Sequence, residues 1–242
     1  MIRLVLIVLF LLFFAVFSVI ALPVLWVIGK VSKAVRDKIS FVIVTNTFRI
    51  ILFIAGTKLV IKGRENIPDG TVLYVGNHRS YFDIMALYTI VPDLTGFVAK
   101  VEIKKVPGLN IWMNYMNCLF LDRNDIRQGL KVILQGIELM KTGISMCIFP
   151  EGTRNKNADE CELLPFKEGS LKLAEKSGSP IVPVAIHNAD NCFENSMPWV
   201  KKNVVTIEFG KPIYMSDLEK EEKKFLGAKV RDNIISMLKA YN

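Results

Sequence analysis

The hydrophobic pattern divides the chain near residue 56. Two long apolar runs come first. Short β-branched runs and helix-period stretches then alternate to the C-terminus. Leu4–Gly29 is 26 residues without a charged side chain. As a helix it is roughly 39 Å long, at ~1.5 Å per residue, against a hydrocarbon core of ~30 Å, so its length permits a tilted span. It is long for a signal peptide, no small-x-small cleavage site follows it, and Pro23 with Trp26 suits an interfacial end. The second run, Ile39–Gly56, contains Asn46 and Arg49. An arginine at the bilayer midplane costs about 2.5–3.5 kcal/mol. A helix lying in one leaflet avoids that cost, because the side chain reaches the headgroups. Residues 1–56 are therefore expected to form two hydrophobic membrane-anchoring helices, the first long enough to span and the second in one leaflet. The alternative for the second is a core helix of the body.

From Thr57 the period changes. Short apolar runs at Lys58–Ile61, Thr71–Val75, Gly96–Ala99, Cys118–Leu121, Ile144–Phe149, Ile181–Ile186 and Val204–Phe209 read as strands. Asp125–Lys141 carries Ile126, Leu130, Ile133, Leu134, Ile137 and Met140 at three- and four-residue steps, with Asn124 or Asp125 to cap it and Gly143 to end it. Gly169–Lys176 and Leu218–Tyr241 are further helices. Alternation of this kind predicts an α/β body over 57–242, a mostly parallel sheet flanked by helices. Ligands of such sheets bind beyond the carboxyl ends of the strands, so motifs at those ends carry functional weight.

Composition narrows the class. Half the 242 residues are hydrophobic (51%), which excludes a disordered chain. Cys118, Cys147, Cys161 and Cys192 lie far apart, with no C-x-x-C pair, so no disulfide framework is indicated. Two histidines, His78 and His187, leave little for a histidine-based zinc site. The net charge of +8 sits entirely in residues 1–64, which hold nine basic side chains and one acid; the remainder carries 22 of each. A nucleic-acid binder would place its basic patch on the folded body. The cluster Lys30–Lys38 instead follows the apolar run and would keep the body on the cytoplasmic side of a membrane. Basic residues beside both runs also attract anionic lipid.

The first chemical motif follows the strand ending at Val75: Gly76-Asn-His-Arg-Ser-Tyr-Phe-Asp83. On one helix, residues five apart are about 140° apart and cannot meet. They meet if His78 lies in the turn and a helix starts after it. Ser80-x-x-Asp83 is a capping-box pattern that supplies such a start. Asp83 then accepts a hydrogen bond from one ring nitrogen of His78, and the other is free to take a proton from a hydroxyl. No G-x-S-x-G elbow is present. The proton would come from a bound substrate hydroxyl, which points to direct transfer without a covalent enzyme intermediate. Taken alone, His-x4-Asp is more often a strand-end histidine followed by an ordinary first-turn acid.

The second motif ends another strand: Pro150-Glu151-Gly152-Thr153-Arg154. Pro150 stops the ladder, Gly152 permits positive φ or close approach, and Arg154 offers a fork suited to phosphate. Together they read as an anion cradle. Glu151 orders the turn, holds Arg154 or accepts a substrate hydroxyl, three roles that the sequence leaves open. A surface turn with a solvated arginine is the plainer alternative.

Asn77-His-Arg-Ser-Tyr-Phe-Asp83, followed about 70 residues later by Phe149-Pro-Glu-Gly-Thr-Arg154, resembles the glycerolipid acyltransferase family, and more narrowly its 1-acylglycerol-3-phosphate (lysophosphatidic acid) acyltransferases. The similarity covers roughly residues 57–210. Asn117-Cys-Leu-Phe-Leu-Asp-Arg123 resembles the family block that contacts the acceptor's phosphate, with Asn117 where the family usually has glycine. Asparagine tolerates a left-handed backbone, so the departure is mild. Ile181-Val-Pro-Val184 resembles an apolar block associated with the acyl site. Lys100 stands where close relatives bind phosphate.

The resemblance implies catalytic His78 and Asp83. It implies substrate contacts by Arg154, Gly152, Glu151, Thr153, Lys100 and Arg123. The implied reaction moves a fatty acyl group from a thioester to the sn-2 hydroxyl of lysophosphatidate, giving phosphatidate for phospholipid synthesis. No metal or cofactor is implied. Coenzyme A or acyl carrier protein carries the donor, and the partners are membrane lipids, lysophosphatidate and that donor. The tetrahedral oxyanion calls for donors, for which backbone N–H groups near His78 are candidates. His187 is expected in a structural or polar-rim role. The rivals are an acyltransferase for another lysolipid, a non-catalytic membrane phospholipid-binding protein and, third, a membrane-tethered hydrolase.

Overall fold

The computed structural model describes residues 1–241. Helices α1 (Ile2–Val31) and α2 (Lys33–Ala55) come first. Then follow β1 (Thr57–Lys62), β2 (Leu73–Gly76), α3 (Tyr81–Ile90), β3 (Thr95–Lys100), α4 (Leu109–Tyr115) and β4 (Leu119–Leu121). The chain continues through α5 (Ile126–Lys141), β5 (Ser145–Ile148), α6 (Lys172–Ser177), β6 (Ile181–His187), β7 (Asn203–Phe209), α7 (Lys220–Lys224) and α8 (Leu226–Leu238). The seven strands form one sheet in the order β1-β7-β6-β2-β5-β3-β4. Every neighbouring pair is parallel except β6–β7. The expected α/β architecture is present, with β1 and β7 reversed relative to the other five strands.

Period-two alternation sorts the strand side chains into two cores. Tyr74, Val182, Val184, Ile186 and Phe209 pack with residues of α1–α4. Leu73, Val75, Met146 and Ile181 pack with α5, α6 and α8. Burying each such side chain contributes roughly 1.5–3 kcal/mol. Pro183 lies inside β6, a central strand. Its carbonyl accepts the Gly210 N–H at 2.8 Å, so the missing donor falls just past the end of β7, between the Val184–Phe209 pair and the isolated Ile181–Ile213 bridge, where the regular ladder is interrupted.

The two N-terminal helices are both long and apolar enough to cross a membrane. Only Ser32 separates them. Its side chain accepts the Val35 N–H, so the basic cluster lies within the helices rather than in a loop. Helix α1 is exposed along most of its length. Helix α2 differs, because Val44, Ile51, Leu52 and Ala55 join the core, and Phe41 and Phe48 pack on Tyr88 of α3 with ring centroids 6.4 and 5.6 Å apart. Arg49 bonds Asn46 Oδ1 at 3.1 Å and reaches the Thr89 carbonyl at the end of α3. One flank of α2 is thus a core surface, the alternative weighed for this helix, and its exposed flank carries Val42, Ile50 and Phe53.

Candidate active site

Strands β2 and β5 are parallel neighbours, so the loops that follow them meet at one end of the sheet. Asn77 carries the β2–β6 pairing one step past the strand. Its side chain donates to the Ile186 carbonyl at 2.9 Å and accepts the Ile186 N–H at 2.8 Å. His78 leaves the sheet next and Ser80 starts α3. The capping box forms as the sequence predicts: Ser80 Oγ accepts the Phe82 N–H, and Asp83 reaches back to the cap.

That box fixes the acid. Asp83 is buried, and its Oδ2 accepts the backbone N–H of Arg79 and of Ser80, each at 2.7 Å. The same oxygen lies 2.8 Å from His78 Nδ1. With Asp83 ionised, Nδ1 is assigned the proton and Nε2 the lone pair. The ring face and main chain of His78 are held as well. Its ring stacks on Phe149, with centroids 4.4 Å apart and planes 17° apart. Its N–H donates to Glu151 Oε1 at 2.9 Å, and its carbonyl accepts the Asn155 N–H at 2.7 Å. Among the described residues, nothing bonds Nε2.

Glu151 takes the first of the three roles open to it. It is buried, its second oxygen accepts the Leu164 N–H at 3.0 Å, and it orders the turn around His78 instead of holding Arg154. Burial pushes its carboxyl above the ordinary range, and the N–H bonds from His78 and Leu164 pull it back. Gly152 has φ 75°, and Asn117 sits at φ 55°, the left-handed conformation that asparagine tolerates. Thr153 is exposed.

The basic residues fall into two groups. Arg154 lies beside the histidine motif, with Nη1 3.2 Å from Glu194 Oε1 and its guanidinium 4.1 Å over the Tyr81 ring. Glu194 also accepts Ser80 Oγ–H at 2.6 Å and the Tyr81 N–H at 2.9 Å, tying α3, the arginine and the loop after β6 into one knot. Arg123 instead lines a cavity with Gly152, Phe149 and Lys167. Lys100 is exposed at the end of β3 and pairs with Glu102 at 2.7 Å; it does not line that cavity.

The N–H groups of His78, Arg79, Ser80 and Tyr81 are all taken by the carboxylates of Glu151, Asp83 and Glu194. These four are therefore committed, and an oxyanion must find its donors elsewhere. Sequence reasoning gave no part to Phe149, Asn155, Lys167 or Glu194. Phe149 stood inside a recognised motif and was the one of these within reach. Glu194 lies 40 residues from Arg154 and 114 from Ser80, and only the fold brings them together. His187 has its own carboxylate: Nδ1 is 2.6 Å from Glu160 Oε2, and the ring stacks on Tyr241 at 5.2 Å.

Residues 58–187 match the family model described as Acyltransferase. The 1-acyl-sn-glycerol-3-phosphate acyltransferase of Borreliella burgdorferi is 33% identical over 203 residues, covering 83% of this chain and 80% of that protein. The enzyme of that name from Saccharomyces cerevisiae is 30% identical over 193 residues, 79% of this chain and 63% of its own length. A probable 1-acyl-sn-glycerol-3-phosphate acyltransferase of Mycoplasma pneumoniae is 38% identical over 141 residues, 56% of this chain and 51% of its own length. The crystal structure of the 1-acyl-sn-glycerophosphate acyltransferase PlsC from Thermotoga maritima matches with a TM-score of 0.78 and 24% identity, over 99% of this chain and 97% of that one. At that identity the likeness is one of fold.

Proposed function

Because the chain belongs to the acyltransferase family, we propose that it is a membrane-bound 1-acylglycerol-3-phosphate acyltransferase, converting lysophosphatidate and a fatty acyl thioester to phosphatidate and free thiol. The observation that carries the reading is the His78–Asp83 pair at 2.8 Å, a part-exposed imidazole past the end of β2 held by a buried carboxylate in the first turn of α3 and braced by the Pro150–Arg154 turn.

In the proposed reaction His78 Nε2 takes the proton from the acceptor's sn-2 hydroxyl as that oxygen attacks the thioester carbonyl. Asp83 keeps Nδ1 protonated and stabilises the imidazolium that forms. The tetrahedral intermediate collapses with cleavage of the C–S bond, and the Nε2 proton passes to the departing sulfur. Histidine is thereby restored and no cofactor is consumed. Phe149 stacking and the Glu151 and Asn155 bonds hold the ring in register, a positioning effect. Arg154 and Arg123 attract the acceptor's phosphate, with Gly152 and Thr153 at the turn; Lys100, exposed, paired with Glu102 and off the cavity that Arg123 lines, adds only long-range attraction. Coenzyme A or acyl carrier protein carries the donor acyl group.

Membrane attachment through residues 1–56 gives the enzyme lateral access to two amphiphiles, and spares it extracting chains at ~0.8 kcal/mol per CH₂. The catalytic body, 57–242, would face the cytoplasm, where Lys30–Lys38 keeps it. The test is acylation by the purified full-length protein in detergent, with labelled acyl thioester and a panel of lysolipids. Phosphatidate formed from lysophosphatidate supports the reading. Turnover only with another lysolipid replaces the acceptor, and no transfer to any acceptor removes the reading.

A further inference from the structure

The first turn of a helix leaves backbone N–H groups without intrahelical partners. In α3 the local box serves Phe82 through Ser80 Oγ, and Ser80 itself through Asp83 Oδ2. The Tyr81 N–H is left over, and it goes to Glu194 Oε1 at 2.9 Å. Glu194 Oε2 also accepts the Ser80 hydroxyl proton at 2.6 Å. That bond turns a lone pair of the hydroxyl towards the Phe82 N–H. Glu194 thus completes a cap that the Ser80–Asp83 pattern leaves unfinished.

The acid comes from a distant segment, and that segment is firmly held. Residues 188–202 join β6 to β7, and Asp190 and Cys192 within them are buried. The Lys201 N–H bonds the Cys192 carbonyl at 2.9 Å, and the Asn188 side chain bonds the Val204 carbonyl at 3.0 Å, fastening the loop to the start of β7. Four residues before Glu194, Asp190 Oδ2 accepts both Nε and Nη2 of Arg79 at 2.8 Å. Arg79, Ser80 and Tyr81, three of the four residues between His78 and Asp83, are therefore moored to one loop. The Glu194 side chain is only 15% exposed, so water competes little for these bonds. Its contact with Arg154 is the longest it makes, 3.2 Å, and runs to a side chain 33% exposed, which makes it the lesser share.

We propose that Glu194 is a positioning residue for acyl transfer: by completing the α3 cap it keeps Asp83 Oδ2 on the His78 imidazole. The proposal rests on the acyl-transfer reading above and adds a residue to that same site. Glu194 touches no reacting atom in that scheme and acts through α3. Losing its two bonds frees the turn that carries Asp83, and a misplacement of about 1 Å is enough to cost about a hundredfold in rate.

The experiment measures acylation of the preferred lysolipid of the panel by the full chain in detergent, together with thioester hydrolysis without acceptor. Glu194→Ala should lower kcat of both reactions about ten- to a hundredfold, with acceptor KM moving far less. Glu194→Gln keeps an oxygen for the Tyr81 N–H and an amide for Ser80 Oγ, and should recover most of kcat. The loss in Glu194→Ala should persist when Arg154 is also replaced by alanine. If the alanine variant melts early, Glu194→Met fills the space without an acceptor and is assayed below its own melting temperature. A wild type that acylates no lysolipid fails the underlying reading. An active wild type whose Glu194→Ala and Glu194→Met variants keep kcat overturns the positioning role alone. So does a glutamine variant as slow as the alanine one, or a loss that vanishes once Arg154 is alanine.

Discussion

The molecule holds two histidine–carboxylate pairs at the ends of adjacent strands, and they differ in what surrounds them. His78 follows β2 and His187 ends β6, a parallel neighbour. Each turns Nδ1 to a carboxylate, at 2.8 and 2.6 Å, and each ring stacks on an aromatic. By distance alone the second pair is the tighter one. Its carboxylate, however, comes from a loop and otherwise accepts the Asn188 N–H. Asp83 stands in the first turn of a capped helix with three donors on one oxygen, and the main chain of His78 is gripped by Glu151 and Asn155. Arg154 stands beside it, whereas the His187 ring lies on Tyr241, whose hydroxyl bonds Glu208. The imidazole–carboxylate contact alone therefore does not distinguish the two pairs. What distinguishes them is the setting of His78, where a rigid acid, a gripped backbone and a guanidinium converge at one strand end.

Substitutions can break that comparison. His78→Ala should cost the most, roughly 10²–10⁴-fold or more in kcat, with the protein still in the membrane fraction. A variant turning over near the wild-type rate would end the assignment of the base. Asp83→Asn should follow at about 10²-fold or more, read as a fall in kcat at near-constant acceptor KM. Arg154→Ala should raise acceptor KM about ten- to a hundredfold, with a smaller effect on thioester hydrolysis without acceptor. Equal effects on both reactions would separate Arg154 from the phosphate. Gly152→Ala should weaken acceptor binding too, because the new methyl enters the space before Lys167 at a φ of 75°. The smallest effect is expected for His187→Gln: less than about threefold in kcat, with stability lower by about 0.5–1.5 kcal/mol on thermal melting. If His187→Gln silenced the enzyme as fully as His78→Ala, the distinction between the two pairs would be lost.

Much of this was legible in the chain because it is local. All seven strands lie where β-branched runs place them, and the Ser80–Asp83 box follows from spacing alone. Two segments resisted. Helix α4 is seven residues long, too short for a period to register. The predicted C-terminal helix is divided, with Phe225 between α7 and α8. At the site, the histidine–aspartate pair was readable because one turn and one cap determine it. Glu194 was not, because its partners Ser80, Tyr81 and Arg154 come from other strands' loops. Arg49, expected to reach lipid headgroups, is exposed and also contacts Asn46 and the Thr89 carbonyl of α3, contacts that spacing along one helix did not announce because α2 packs on the body.

The packing of α2 on Tyr88 has a practical consequence. The helix that presents Asp83 to the imidazole leans on α2, so the N-terminal helices buttress the proposed catalytic site besides supplying its proposed membrane anchor. A water-soluble version made by clipping the chain at residue 56 would strip the cover from α3 and leave a sticky, misaligned core.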